Sequence, residues 1–125
     1  MSLNFDKTDK PIFIQLAELL EDGILKGIFS EEAQLPSVAE ISVVYKINPA
    51  TANRSVNLLA ESGIVYKKRG IGMFVASGAK QKILNSRIKT FYSAYIVPLC
   101  EESEKLGIPK EHIQKLIGDY YNGKK

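Results

Sequence analysis

A mostly α-helical chain with one small β-hairpin is the fold class the sequence predicts, and three observations carry it. Helix-opening residues occur at Pro11, Ser37, Asn48-Pro49 and Pro109, each followed by apolar residues three and four positions apart. A β-prone run, Ile64-Val65-Tyr66, passes through the basic tip Lys67-Lys68-Arg69-Gly70-Ile71-Gly72 into Met73-Phe74-Val75, as a hairpin does. Only a short turn, at Lys46-Ile47-Asn48, separates the second helical pattern from the third. Two helices joined tightly and followed by a hairpin make a winged helix-turn-helix. The expected organisation is that unit over residues 1–76 and a two-helix dimerisation tail over residues 80–125.

Each element has a local reason. The lead-in from Met1 to Lys10 is polar, with Asp6 and Asp9, and is expected to be loose. Pro11 suits the first position of a helix, where its missing amide hydrogen costs nothing, and Ile12, Leu16, Leu19, Leu20 and Ile24 form a stripe that ends near Gly27. Ile28 to Gln34 is a connection, with a short strand expected at Gln34-Leu35 beside the hairpin. Ser37 and Glu40 have the spacing of a capping box, in which each side chain satisfies an orphan amide of the first turn. The second helix therefore starts at Ser37, with Val38, Ile41, Val44 and Tyr45 as its apolar face. Asn48 caps the third helix and Pro49 opens it. Ala52, Val56 and Leu59 turn inward, which leaves Thr51, Asn53, Arg54 and Asn57 on the opposite face.

Behind the hairpin, Ala76-Ser77-Gly78-Ala79 reads as a small flexible junction. From Lys80 the spacing predicts a helix with Leu84, Ile88, Phe91, Tyr95 and Leu99 on one side, widened by Ile83, Tyr92 and Ile96. Pro98 has no amide hydrogen and its ring crowds the carbonyl of Ala94, so that helix is expected to bend. A last helix from Pro109 aligns Ile113, Leu116, Ile117 and Tyr120. Two helices joined by a short turn cannot cover stripes this broad against each other. Either a second copy of the chain covers them or the tail folds back on the winged helix.

Composition narrows the function classes. With 125 residues, 45% hydrophobic and 25% charged, the chain is an ordinary folding domain with an appendage. No apolar run reaches the roughly 18 residues of a membrane span and the start has no signal-peptide core, so a cytoplasmic protein without a membrane partner is expected. Cys100 and His112 are each the only residue of their kind. No disulfide, zinc site or cofactor is expected from them, and Cys100 reads as a small core residue. No catalytic set is visible either: there is no Ser/His/Asp arrangement, carboxylate pair or phosphate-cradling loop. Net charge is only +3, but from Ile41 to Ala79 five cations (Lys46, Arg54, Lys67, Lys68 and Arg69) face the lone acid Glu61. Positive potential therefore collects on the third helix and the hairpin.

Those residue types suit double-stranded DNA. Arginine and asparagine present donors, and asparagine an acceptor, in geometries that match base edges of the major groove, while threonine bonds bases or phosphates. A solvated helix face has the same composition, so the helix alone does not decide. The hairpin behind it adds cations that neutralise phosphate and glycines that allow close approach. The expected contacts are Thr51, Asn53, Arg54 and Asn57 in the major groove, with Asn48 at the head of that helix. Lys67, Lys68, Arg69, Gly70 and Gly72 are expected at the adjacent minor groove or backbone, and Ser37 and Lys46 at phosphates.

From Pro11 to Val75 the chain resembles the GntR family of bacterial transcription regulators. The matching motifs are Leu35-Pro36-Ser37, Ile47-Asn48-Pro49-Ala50-Thr51, Arg54, Leu58 to Gly63 and Arg69 to Val75, in that order. The Asn48-Pro49 pair and the short tail resemble the YtrA-type subfamily. The resemblance implies DNA contacts at Ser37, Thr51, Arg54, Arg69, Gly70 and Gly72, and a homodimer formed by the tail. The dimer residues would be Leu84, Ile88, Phe91, Tyr92, Tyr95, Leu99, Ile113, Leu116, Ile117 and Tyr120. It further implies a repressor of its own operon, with a transporter operon as the type case, on a palindromic operator. Two departures stand out: Ala39 replaces a family arginine, which removes a phosphate contact, and Met73 replaces a wing threonine or serine. The tail leaves two alternatives for a small-molecule effector, either no pocket or a site at the dimer interface near Phe91, Tyr92 and Tyr95. A winged helix that serves as a protein-interaction module without operator specificity is the competing class.

Overall fold

The structure is a computed structural model that describes residues 10–123. The chain divides into two compact units, Met1–Asn85 and Ser86–Lys125. The first contains helices α1 (Ile12–Leu25), α2 (Val38–Tyr45) and α3 (Pro49–Glu61), strands β1 (Val65–Lys68) and β2 (Gly72–Val75), and the start of α4 (Ala79–Phe91). Pro11 stands at the N-cap of α1, one position before the helix proper. The stripe of α1 that reaches the core is Leu16, Ala17, Leu20, Gly23 and Ile24, whereas Ile12 is 46% exposed. Helix α3 answers with Ala52, Ser55, Val56 and Leu59, and α1 and α2 both pack on it. Leu35, Ile41, Ile64, Val65 and Val75 complete the hydrophobic core.

The strands run antiparallel, with Val65 opposite Val75, Tyr66 opposite Phe74 and Lys68 opposite Gly72. Alternation of side chains across the pleat sends Val65 and Val75 inward and puts Tyr66, Phe74 and Lys68 on the other face. Gln34 bridges to Phe74, and Leu35 N–H donates to the Met73 carbonyl at 2.8 Å, so where a short strand is expected the chain borders the wing through a single β-bridge.

Three local expectations are corrected. Val44 is 71% exposed: at 100° per residue the inward stripe of an eight-residue helix runs through Val38, Ile41 and Tyr45, and Val44 falls to its side. The Ala76–Ala79 stretch is pinned rather than loose. The Glu31 carboxylate accepts the Gly78 and Lys80 amides at 2.9 and 3.1 Å, which caps α4 from a distant loop. Ala79 and Ile83 are then fully buried in the first unit, which is why that unit runs to Asn85 instead of closing at residue 76, and why Ile83 leaves the tail's stripe.

In the second unit, α4 continues through a π-helical turn, Tyr92–Ile96, into α5 (Val97–Lys105), and α6 (Lys110–Tyr121) follows after Gly107. Where a bend is expected, the helix has a π-helical turn directly ahead of Pro98, a wider turn of the kind that relieves the crowding by the proline ring. Ser103 is the only buried side chain among described residues 86–123. Ile88, Phe91, Tyr92, Tyr95, Leu99, Leu116, Ile117 and Tyr120 are exposed, while Leu84, in the first unit, and Ile113 are half-buried. Cys100 is exposed in the single chain too, not a core residue.

Candidate nucleic-acid interface

All the residues expected at DNA lie in the first unit, at the two ends of α2, on the outward face of α3 and on the hairpin. The capping box at the head of α2 is complete: Glu40 N–H donates to Ser37 Oγ at 3.1 Å and Ser37 N–H donates to Glu40 Oε1 at 2.9 Å. The Ser37 amide, and then its side chain, hold the Glu40 carboxyl below the ordinary carboxylate range. Ser37 stands exposed at the head of α2, with its hydroxyl engaged in the box. Ala39 is exposed in the same turn, so the position is open to a phosphate but carries no donor side chain.

The turn between α2 and α3 rests on an unusual residue. Lys46 takes a left-handed backbone (φ 55°, ψ 48°), a conformation that usually selects glycine or asparagine. It is held there because Ile47 N–H reaches back to the Ser42 carbonyl at 3.0 Å while the Ser42 hydroxyl donates to the Ile47 carbonyl. Asn48 Oδ1 accepts the Ala50 amide at 2.7 Å, so its cap role occupies one lone pair of that oxygen and leaves its NH2 group as a donor.

On α3, Asn53, Arg54 and Asn57 are exposed and Thr51 is half-buried at the flank. The Arg54 guanidinium lies over the Phe13 ring of α1, with Cζ 3.9 Å from the centroid. One residue on, the fully buried Ser55 hydroxyl points to the Phe13 carbonyl at 2.7 Å and to Thr51 O at 3.1 Å, which locks α3 against the first turn of α1. Glu61, in the last turn, is an exposed carboxylate. It disfavours phosphate there and leaves the N-terminal half of α3 as the end suited to a groove.

The wing tip is shaped by two glycines. Gly70 has φ +76°, and Gly72 has φ +144° with the Gln34 amide so close that a Cβ would sit 2.7 Å from its nitrogen. That amide donates to the Ile71 carbonyl at 3.0 Å and braces the loop. Lys67, Arg69 and Gly70 are exposed, as is Ile71 at the tip. Lys68 differs from its neighbours: its Nζ lies 4.2 Å from the Phe74 ring centroid and 6.0 Å from that of Tyr66.

Residues 14–75 match the family described as bacterial regulatory proteins, gntR family. A solved GntR-family protein from Bacteroides thetaiotaomicron is 36% identical, with 90% of this chain and 97% of that one covered and a TM-score of 0.71. The chain belongs to the GntR family. Over 123 residues it is 26% identical to the HTH-type transcriptional repressor YtrA of Bacillus subtilis, covering 95% of this chain and 94% of that repressor. The YtrA-type likeness therefore extends through the tail. The DNA-binding domain of AraR, solved in complex with an operator, shares the fold at 22% identity and a TM-score of 0.55, over 61% of this chain. This GntR-family protein is accordingly a DNA-binding transcription regulator and not an enzyme.

Sequence reasoning missed Phe13 and Ser55, neither of which carries a charge or a motif, and the brace that the Gln34 side chain gives the wing. The spacing 13, 16, 17, 20, 24 was available as a signal for Phe13, since it puts the residue on the side of α1 that carries the buried stripe, although the ring itself is only half-buried. Ser55 is a lone polar residue among inward positions, and only the tertiary contact explains it. Among the described residues, no helix is long and apolar enough to cross a membrane.

Proposed function

We propose that this regulator is a cytoplasmic homodimeric repressor that binds a palindromic operator at its own operon. Thr51, Asn53, Arg54 and Asn57 read bases in the major groove, Lys67, Lys68, Arg69, Gly70 and Gly72 follow the adjacent minor groove or backbone, and Ser37, Lys46 and Asn48 bond phosphates. The observation that carries the reading is the outward face of α3, where Asn53, Arg54 and Asn57 stand exposed in the same unit as a cationic wing. Bidentate donors in the groove supply discrimination, while the wing cations supply affinity that does not depend on sequence.

The tail supports the dimer. Its apolar residues lie uncovered in the single chain, and apolar exposure on this scale marks an interaction surface. A two-fold pair presents two recognition helices to half-sites about one helical turn apart. The Phe91 and Tyr95 rings, 5.4 Å apart, belong to the seam in this reading, not to an effector site. AraR, whose DNA-binding domain has this fold, binds an operator.

Hydroxyl-radical footprinting on the DNA upstream of its own gene tests the proposal. Two protected patches about 10 base pairs apart, symmetric about their centre, are expected. One patch, or uniform protection along the fragment, would refute the palindromic dimer.

A further inference from the structure

Arg54 is not a free surface side chain. Its guanidinium lies over Phe13 with Cζ 3.9 Å from the ring centroid, and the Ser55 hydroxyl, 2.7 Å from the Phe13 carbonyl, fixes the two helices at that same turn. The ring is half-buried and stands outside the hydrophobic cluster that builds the core of the first unit. Core packing therefore does not account for an aromatic residue at this position.

We propose that Phe13 is a positioning residue for base reading by Arg54. The inference rests on the operator reading given above. An unsupported arginine must give up rotamer freedom when it docks on a base edge, whereas a guanidinium already stacked has given up part of it beforehand. A guanidinium that stacks by its face keeps its N–H donors, which lie in the plane, available around the edge. Stacking on Phe13 and bidentate bonding to a base are thus compatible in one conformation. Phe13 itself touches no base. It acts on specificity and not on the phosphate term.

The test uses the full chain and a duplex enriched from a randomised pool by the wild-type protein, with a scrambled duplex of equal composition beside it. F13L keeps apolar bulk and removes the π face, and F13Y keeps the face. F13Y should bind the enriched duplex as the wild type does. F13L should lose roughly two- to fivefold per half-site, with binding to the scrambled duplex and the salt slope unchanged. In an R54A background, F13L should cost nothing further. Equal losses on both duplexes, or an undiminished loss in the R54A background, would overturn the inference. A second readout needs no DNA and does not depend on F13L folding: the Arg54 side-chain protons of the free wild type and F13Y should show ring-current shifts in NMR spectra, and unshifted protons would also overturn it. Should the wild type enrich no sequence at all, the operator reading falls and Phe13's role with it.

Discussion

Helix α4 carries two kinds of apolar residue within a few turns. Ala79 and Ile83 are at most 1% exposed, whereas Ile88 and Phe91 are 69% and 53% exposed. The first pair closes the core of the winged-helix unit, together with Leu16, Leu20 and Leu59. The second belongs to a unit in which no hydrophobic side chain is buried among the described residues 86–123. Helical periodicity is the same on both sides of Asn85. What differs is burial: in the first unit the chain itself supplies the surface that the stripe packs against, and in the reading proposed above a second copy supplies it for the tail.

The largest effect should come from the closed unit. Leu20→Ala removes a side chain with no exposure and should cost about 2–5 kcal/mol of folding stability in a urea titration. A shift well below that range would mean that α1 packs more loosely than its burial implies. In the tail, Phe91→Ala should leave the urea midpoint of the first unit in place but weaken association by about 2 kcal/mol, which sedimentation equilibrium would read as a dimer dissociating roughly 30-fold more readily. Should it instead lower the midpoint and leave the oligomer intact, the two units would not divide the work as described.

Smaller effects sharpen the contrast within the DNA-facing unit. Arg54→Ala should forfeit about 1–3 kcal/mol of discrimination per base pair read, while Lys68→Ala should weaken all sequences alike and lower the salt slope by about one. Comparing each variant on specific and scrambled duplexes separates the two. The smallest effect is electrostatic. Glu31 is held below the ordinary carboxylate value by the amides of Gly78 and Lys80, and Glu40 by the amide and side chain of Ser37. Because both folded-state pKa values are depressed, their contribution is complete above the unfolded value of about 4.5 and is lost as pH falls through the folded values. Glu31→Gln with Glu40→Gln should therefore be less stable than the parent at pH 7, with the gap narrowing in acid melts. A gap that stayed constant with pH would mean that neither carboxylate acts through its charge.

Much of this was legible in the sequence because the signals are local. The Ser37–Glu40 box, the Asn48 cap and the wing all depend on neighbours within a few residues, and the structure has each of them. The pairing of Gln34 beside the wing was also anticipated, though as a short strand where the structure has one bridge. What sequence could not supply depends on partners far along the chain. Glu31 caps a helix that starts nearly fifty positions later, and Arg54 finds its ring on another helix. The left-handed Lys46 was hidden for a different reason: a lysine gives no warning of positive φ, and the two local bonds between Ser42 and Ile47 that close the turn around it override its preference.

The most direct test of the central claim is a salt-titrated binding isotherm on DNA upstream of the protein's own gene against scrambled DNA, with stoichiometry determined in the same run. Two chains per site, a clear preference for the upstream DNA and a steep fall of affinity with salt are expected. Equal and feeble binding to both DNAs, or one chain per site, would contradict the dimeric operator-binding account.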